Sequence, residues 1–301
     1  MGRLSAIVLG SAAGGGFPQW NCRCPTCRLA WAGDVRVRPR TQASLAITAD
    51  GENWVLINAS PDLPQQLRRS KALHPRVGTR GSPIKAVILT GAEIDQVTGL
   101  LSLREREPFA VCATAATLAA LADNSMFGAL APDVVKRQEV VPGAPVTLPG
   151  GLQAELFTVP GKAPLYLEGE NPQTAIETGA NVGVELSAGS ARISFIPGAA
   201  AVTPAVAERI ARADVVFFDG TLFRDDEMIA TGTGTKTGRR MGHMPIDGDG
   251  GSLAALTGVT TRRIYMHINN TNPILVEGSP ERLHVERKGW EVAEDGMEIV
   301  L

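Results

Sequence analysis

Short apolar runs recur along the chain, and most are bounded by Gly, Pro, Asn or Asp. Runs of this length between turn-forming residues are typical of β-strands. Several of them are apolar throughout, which indicates strands that are buried on both faces. The pattern predicts strands over residues 4–9, 44–48, 54–58, 86–90, 110–112, 154–159, 182–186, 192–196, 215–218 and 264–267.

Helical patterns lie between these strands. Two of them open with Thr203-Pro204 and Ser279-Pro280, an N-cap residue followed by the proline favoured in the first helical turn. Strands come first and mixed strands and helices follow in both halves, which predicts an α/β sandwich of two mixed sheets flanked by helices. The predicted helices cover residues 114–123, 203–213, 251–256 and 279–288.

Composition fits an ordinary globular protein. The chain has 301 residues, of which 44% are apolar and 20% charged, and its net charge is −2. We expect a single domain over residues 1–301. This charge balance does not predict a surface for nucleic acids or anionic membranes, which would require clustered Lys and Arg. The apolar run at 4–9 is too short for a signal peptide core or a bilayer span, so we expect a cytoplasmic protein.

Polar side chains follow three of the predicted strands. Glu93 and Asp95 come after the strand at 86–90, Asp219 ends the strand at 215–218, and His267 ends the strand at 264–267. Sites of α/β proteins collect beyond the carboxyl ends of strands. Each residue also has a plain structural interpretation: Asp95 as a helix N-cap, Asp219 as a turn residue, and His267 as a hydrogen-bonded core residue.

Two further features carry candidate chemistry. His243, after a basic Thr- and Gly-rich segment, is a candidate acid/base or metal ligand. Cys22, Cys24 and Cys27 lie on one short loop, and three thiolates on one loop can hold zinc if a fourth ligand completes the tetrahedron. A redox loop is the alternative. The isolated Cys112 lies in an apolar run and is expected to be a small buried side chain.

Six strings of residues carry a resemblance to a known family: 10–27, 58–62, 100–105, 219–228, 237–243 and 267–275. They closely resemble the pyrroloquinoline quinone (PQQ) biosynthesis protein B family, a branch of the metallo-β-lactamase superfamily, and the match runs over nearly the whole chain. The resemblance implies an αββα sandwich with its site at one edge of the two sheets.

The sequence departs from the superfamily hydrolases at the main ligand motif. Where they read His-x-His-x-Asp-His, residues 91–96 read Gly-Ala-Glu-Ile-Asp-Gln, so only Asp95 is retained. Many members of the B family keep a final His where this chain has Gln96. A dinuclear zinc hydrolase needs several His ligands, which this chain lacks. The resemblance implies a metal set of Asp95, Asp219 and His267, with Glu93, Gln96 and His243 as additional candidates.

The family also implies an activity. It is an iron-dependent, oxygen-using hydroxylation of the tyrosine ring in a crosslinked Glu–Tyr precursor, with Fe(II) at the active site and zinc at the Cys loop. Asn270 is the candidate fourth zinc ligand, and Arg239, Arg240 and Lys236 are candidates for binding the acidic substrate. Other PQQ biosynthesis proteins are candidate partners. A non-enzymatic carrier of PQQ or its precursor, and a metal-dependent hydrolase, are the alternatives.

Overall fold

The computed structural model describes residues 3–169 and 173–301. Residues 1–2 and 170–172 lie outside the described ranges. Two seven-stranded sheets pack face to face, and helices cover the outer face of each. The predicted sandwich is therefore confirmed.

The first sheet combines antiparallel and parallel pairing. Its three antiparallel strand pairs lie at one side, and its three parallel pairs lie at the other. The order across the sheet is β14 (Glu298–Val300), β1 (Ser5–Gly10), β2 (Ser44–Thr48), β3 (Trp54–Ile57), β4 (Ile84–Ile88), β5 (Phe109–Ala113) and β6 (Val135–Glu139).

The second sheet repeats this arrangement, with antiparallel pairs on one side and parallel pairs on the other. Both sheets are thus mixed, as predicted. The order is β13 (Trp290–Val292), β12 (Arg262–Met266), β11 (Val215–Asp219), β10 (Ala191–Ile196), β9 (Val182–Ala188), β8 (Gln153–Thr158) and β7 (Pro145–Thr147).

Short helices cover the outer faces. Three of them begin at a hydroxyl side chain that accepts a backbone hydrogen bond from the third helical residue, which satisfies a free N–H of the first turn. The helices are α1 (Pro25–Trp31), α2 (Leu63–Arg69), α3 (Ile94–Val97), α4 (Ala115–Ala122), α5 (Pro204–Ala211), α6 (Glu227–Ala230), α7 (Ser252–Ala255) and α8 (Pro280–Arg287). Within the described ranges, no helix has the length and apolar character needed to cross a bilayer.

The main core fills the space between the sheets. Leu45 and Ile57 from the first sheet meet Phe195 and Phe217 from the second, and all four are fully buried. Because these strands are also covered on their outer faces, their sequences are apolar throughout. Cys112 is buried here as a free thiol, as expected.

Every predicted strand exists, with its ends shifted by two residues or fewer. The sequence pattern missed β6, β7, β13 and β14, which are the outermost strands of the two sheets. Four of the five residues of β6 are exposed, so it lacks the apolar run that reveals a buried strand. It also missed α1, α2 and α6, because each is too short to show a helical period.

Candidate functional site

Three chain segments meet where parallel strands end. The loop after β4 leads into α3, which carries Asp95, β11 ends at Asp219, and His267 directly follows β12. Asp219 pairs with Met266, so these two strands end at the same level. His267 has a left-handed backbone (φ 57°), which turns its side chain away from the strand direction.

Two imidazoles and one carboxylate converge here. Asp219, His243 and His267 each place a ligand atom within 4.8 Å of the others. His243 Nδ1 donates to Asp219 Oδ2 at 2.7 Å. The two imidazole rings stack with their centroids 5.3 Å apart. His243 comes from the long loop between β11 and β12, so sequence order alone did not show that it joins the strand-end residues.

Asp95 extends this group from the first sheet. Its Oδ2 lies 3.0 Å from His267 Nε2. Burial alone would raise the pKa of Asp95, but the hydrogen bond and charge of His267 hold it below its usual value. In turn, Asp95 raises the pKa of His267 against the effect of burial. The pair is therefore an ionised carboxylate next to a readily protonated imidazole.

Thr221 lies at the centre of the group, although the sequence did not single it out. Its hydroxyl donates to Asp219 Oδ1 at 2.6 Å and lies 2.9 Å from His267 Nδ1 and 3.1 Å from His243 Nδ1. Asp219 is fully buried and also accepts backbone hydrogen bonds from Ala199 and Thr221. Burial is the largest single effect on the pKa of Asp219, and it acts to raise that pKa. The charge and hydrogen bond of His243 nevertheless help to keep the pKa of Asp219 below its usual value.

The residue types and spacing of this group fit a metal ion. Two His and one carboxylate form the ligand set typical of non-haem Fe(II) sites. Two neighbouring ligands, each about 2.1 Å from one octahedral metal, lie about 3.0 Å apart. That is the distance between Asp95 Oδ2 and His267 Nε2. Asp219, His243 and His267 could therefore hold such an ion, with Asp95 beside His267.

Glu93 and Gln96 have other partners. Glu93 is the N-cap of α3, and Gln96 completes a capping box by accepting the Glu93 backbone N–H at 3.1 Å. Gln96 Nε2 points to the Thr90 hydroxyl at 3.4 Å, while the Glu93 carboxylate accepts from Lys162 at 3.0 Å. The N-cap is therefore Glu93 and not Asp95, which leaves Asp95 free to face His267.

The three cysteines form a second candidate metal centre. The Sγ atoms of Cys22, Cys24 and Cys27 lie within 4.8 Å of one another, and Cys24 and Cys27 are buried. The pKa of Cys24 is lowered to about 5, mainly by a hydrogen bond from Cys27 and against the opposing effect of burial. A thiolate is thus already favoured in this loop, as zinc binding requires.

Asn270 meets these sulfurs from the other side. Its Nδ2 donates to Cys22, Cys24 and Cys27 at 3.1, 3.6 and 3.3 Å. In a tetrahedral zinc site, an oxygen ligand lies about 3.5 Å from each sulfur. The end of the Asn270 side chain therefore occupies the fourth vertex, and rotation of the amide would present Oδ1 to a metal. The residues present fit zinc.

A cavity of about 420 Å³ opens above the candidate active site. Asp95, His243 and His267 line it, and Lys236 lies in its wall. The structure separates the other two predicted substrate residues from the cavity lining. Arg240 points to Glu168 at 3.4 Å, and the Arg239 guanidinium donates to the Asp249 carbonyl on the exposed side of the loop.

The fold and the site define the class of protein. A sequence model of the beta-lactamase superfamily domain matches residues 53–268, which is most of the chain. The structure superimposes on a new diphosphatase from the PhnP family with a TM-score of 0.69, covering 99% of this chain and 97% of that one. At 20% identity, that likeness concerns the fold alone.

Much closer relatives carry one name. Coenzyme PQQ synthesis protein B from Methylorubrum extorquens is 52% identical over 299 residues, and that from Methylobacterium nodulans is 54% identical over the same length. Each alignment covers 99% of this chain and 100% of the relative. The crystal structure of zinc-bound PqqB from Methylobacterium extorquens, 52% identical, has a TM-score of 0.97 and covers 99% of this chain and 100% of that one. The chain therefore belongs to the coenzyme PQQ synthesis protein B family of the beta-lactamase superfamily, which confirms the resemblance found in the sequence.

Proposed function

We propose that this chain acts in PQQ biosynthesis as an Fe(II)-dependent hydroxylase. Its substrate would be a crosslinked Glu–Tyr precursor whose tyrosine ring gains oxygen. The convergence of Asp219, His243 and His267 carries the proposal, because two His and one carboxylate favour Fe(II) in an oxygen-using site. The relatives' shared name supports the pathway.

The stoichiometry of the proposed reaction is that of a monooxygenase. One atom of dioxygen converts a ring C–H into C–OH. The other atom leaves as water with two protons and two electrons from an external reductant such as ascorbate. Iron held by Asp219, His243 and His267, with Asp95 beside them, would supply dioxygen binding and electron transfer, which the side chains cannot provide.

The side chains themselves would orient the metal ligands and shape the substrate cavity. Thr221 supports both imidazoles from behind, through their Nδ1 atoms. His243 lines the cavity and is less buried than Asp219, so it forms the boundary between the proposed iron site and the bound substrate. The cavity walls exclude bulk water from the reacting ring.

Zinc at Cys22, Cys24 and Cys27 would have a structural role. With Asn270 as the fourth ligand, no position remains open for chemistry. Asn270 follows His267 by three residues, so this centre would anchor the segment that carries an active-site ligand. PqqB from Methylobacterium extorquens is zinc-bound in its crystal structure, which supports a zinc ion in this chain as well.

The deciding experiment uses protein that is loaded anaerobically with Fe(II), a synthetic crosslinked Glu–Tyr compound and ascorbate. Oxygen consumption and product mass are measured for the wild type, Asp219→Ala, His267→Ala and the control His74→Ala. His74 is an exposed histidine outside the cavity lining. We expect a gain of one or more oxygen atoms with the wild type and the control, and none with the two site variants.

A carrier of PQQ or its precursor is the second candidate, and the cationic groups around the cavity favour it. Tight binding of PQQ without any change in substrate mass would select the carrier over the hydroxylase. Oxygen insertion that persists in both site variants would show that the chemistry lies elsewhere.

A further inference from the structure

One buried carboxylate in the cavity wall gathers three cationic side chains. Glu168 lies 2.7 Å from Lys162 Nζ, 3.7 Å from Lys236 Nζ and 3.4 Å from an Arg240 guanidinium nitrogen. Only 7% of the Glu168 side chain is exposed. Glu168, Lys162 and Lys236 all line the cavity above the candidate active site.

Lys162 is the most firmly placed of the three cations. Its side chain is 11% exposed, and its Nζ also lies 3.0 Å from Glu93. The stem packs against Gly242, where an added Cβ would lie 3.1 Å from Lys162 Cγ. Gly242 immediately precedes His243, so the ammonium group is held beside the candidate active site before any ligand arrives.

Three cations (Lys162, Lys236 and Arg240) surround the single carboxylate of Glu168, and only Lys162 among them also contacts Glu93. A loop tether needs only one ion pair, whereas Glu168 has three cationic partners. Lys236 and Arg240 are each 39% exposed, so a carboxylate from solution can reach them. Cations in a cleft also attract anionic ligands.

We propose that Lys162 and Lys236 in the cavity wall, together with Arg240, which contacts Glu168 from outside the lining, form a carboxylate-binding subsite. Glu168 occupies this subsite until a ligand carboxylate replaces it. The ligand class is a small organic polycarboxylate. The identity of that ligand rests on the proposed function, since both PQQ and a crosslinked Glu–Tyr compound carry several carboxylates. Lys162 is then a specificity-determining residue, and Glu168 is an internal competitor for the ligand.

The test measures binding to zinc-loaded protein by calorimetry, without oxygen or reductant. The two probes are PQQ, which is a tricarboxylate, and the trimethyl ester of PQQ, which lacks the negative charges. We expect PQQ to bind more tightly than the ester. Lys162→Gln should weaken PQQ binding about tenfold, because a cation in a partly buried subsite is lost. Glu168→Gln should tighten PQQ binding, because the competing negative charge is removed.

Lys136→Gln is the matched control, since Lys136 is exposed on the edge strand β6 and outside the cavity lining. It makes the same charge change and should leave PQQ binding unaltered. Lys236→Gln, at a side chain that is 39% exposed, repeats the test if Lys162→Gln fails to fold.

Four results would overturn the proposal. They are equal binding of PQQ and its ester, no detectable binding of PQQ, equal losses in Lys162→Gln and Lys136→Gln, or a Glu168→Gln variant that binds PQQ no better than the wild type. If the protein is an active hydroxylase and any of these results is obtained, only the subsite proposal is refuted. Charge-dependent binding without oxygen insertion would refute the hydroxylase alone.

Discussion

At the residue scale, the Thr221 hydroxyl connects the groups of the candidate active site. It donates to Asp219 and lies within hydrogen-bond distance of both imidazoles. A hydroxyl has one proton and two lone pairs, so once it donates to Asp219 it can only accept from His267 and His243. Thr221 thereby influences which ring nitrogens keep their lone pairs for a metal.

Replacement of this hydroxyl should weaken metal binding. We expect Thr221→Val to lower Mn(II) affinity at the site roughly tenfold or more, since second-layer hydrogen bonds of metal ligands have effects of that size. Thr221→Ser keeps the hydroxyl and should bind nearly as the wild type does. Calorimetry on zinc-loaded protein measures both. Equal affinities for the Val and Ser variants would show that the methyl packing matters and the hydroxyl does not.

Glu227 provides a prediction on pH dependence. It is 7% exposed, and burial raises its pKa from 4.5 to about 7, although it accepts hydrogen bonds from Thr271 and the Phe223 backbone. Between these two pH values the unfolded chain has lost a proton that the native protein keeps. Stability therefore falls as pH rises through this window, by up to about 1.4 kcal/mol per pH unit, and levels off above pH 7.

A neutral side chain at this position should remove that dependence. We expect Glu227→Gln to melt at a higher temperature than the wild type at pH 8 and at a similar temperature at pH 5. Glu208→Gln, at an exposed position on α5, is the control and should match the wild type at both pH values. A Glu227→Gln variant that is destabilised equally at both pH values would contradict the prediction.

At the scale of elements, the apolar runs predicted the inner strands because a strand that is buried on both faces is apolar along its whole length. The same strand ends predicted Asp95, Asp219 and His267 as a site, and the structure brings these three together. His243 and Lys162 come from long loops, and the packing of a loop against a cavity depends on contacts that are distant in sequence. Sequence spacing therefore could not show that these two residues face the same cavity.

The Cys loop and the segment after β12 form one unit at this scale. We expect Cys24→Ser to release zinc and lower the free energy of unfolding, since a structural zinc contributes to folding. Cys112→Ala removes a cysteine that is buried in the core and should keep the zinc. Metal analysis and denaturant unfolding test both variants. Unchanged zinc content in Cys24→Ser would refute the structural assignment.

At the scale of the whole molecule, the end of the chain joins the two sheets. β13 belongs to the second sheet and β14 to the first, where it pairs with β1. Asp295 lies between them and accepts four hydrogen bonds, from the backbone and hydroxyl groups of Ser11 and Thr41. The Asp295 carboxylate thus holds the connection between β13 and β14, which passes from one sheet to the other, against the segments that follow β1 and precede β2.

Loss of that carboxylate should destabilise the protein as a whole. We expect Asp295→Ala to reduce the free energy of unfolding by about 3 kcal/mol, because several partly buried donors lose their acceptor at once. Asp133→Ala, which removes an exposed ion pair with Arg106, should change it by less than about 1 kcal/mol. Chemical denaturation compares the two. Similar small losses would show that Ser11 and Thr41 find other acceptors.

The left-handed backbone at His267 has an evolutionary consequence. A histidine in this conformation is strained by roughly 1 kcal/mol or more, whereas glycine and asparagine adopt it readily. A library screened for heat resistance alone should therefore enrich glycine or asparagine at position 267 and discard the imidazole. In a lineage that no longer needed the reaction, this position would be among the first to drift, so the residue found there would record whether a homologue is still under selection for activity.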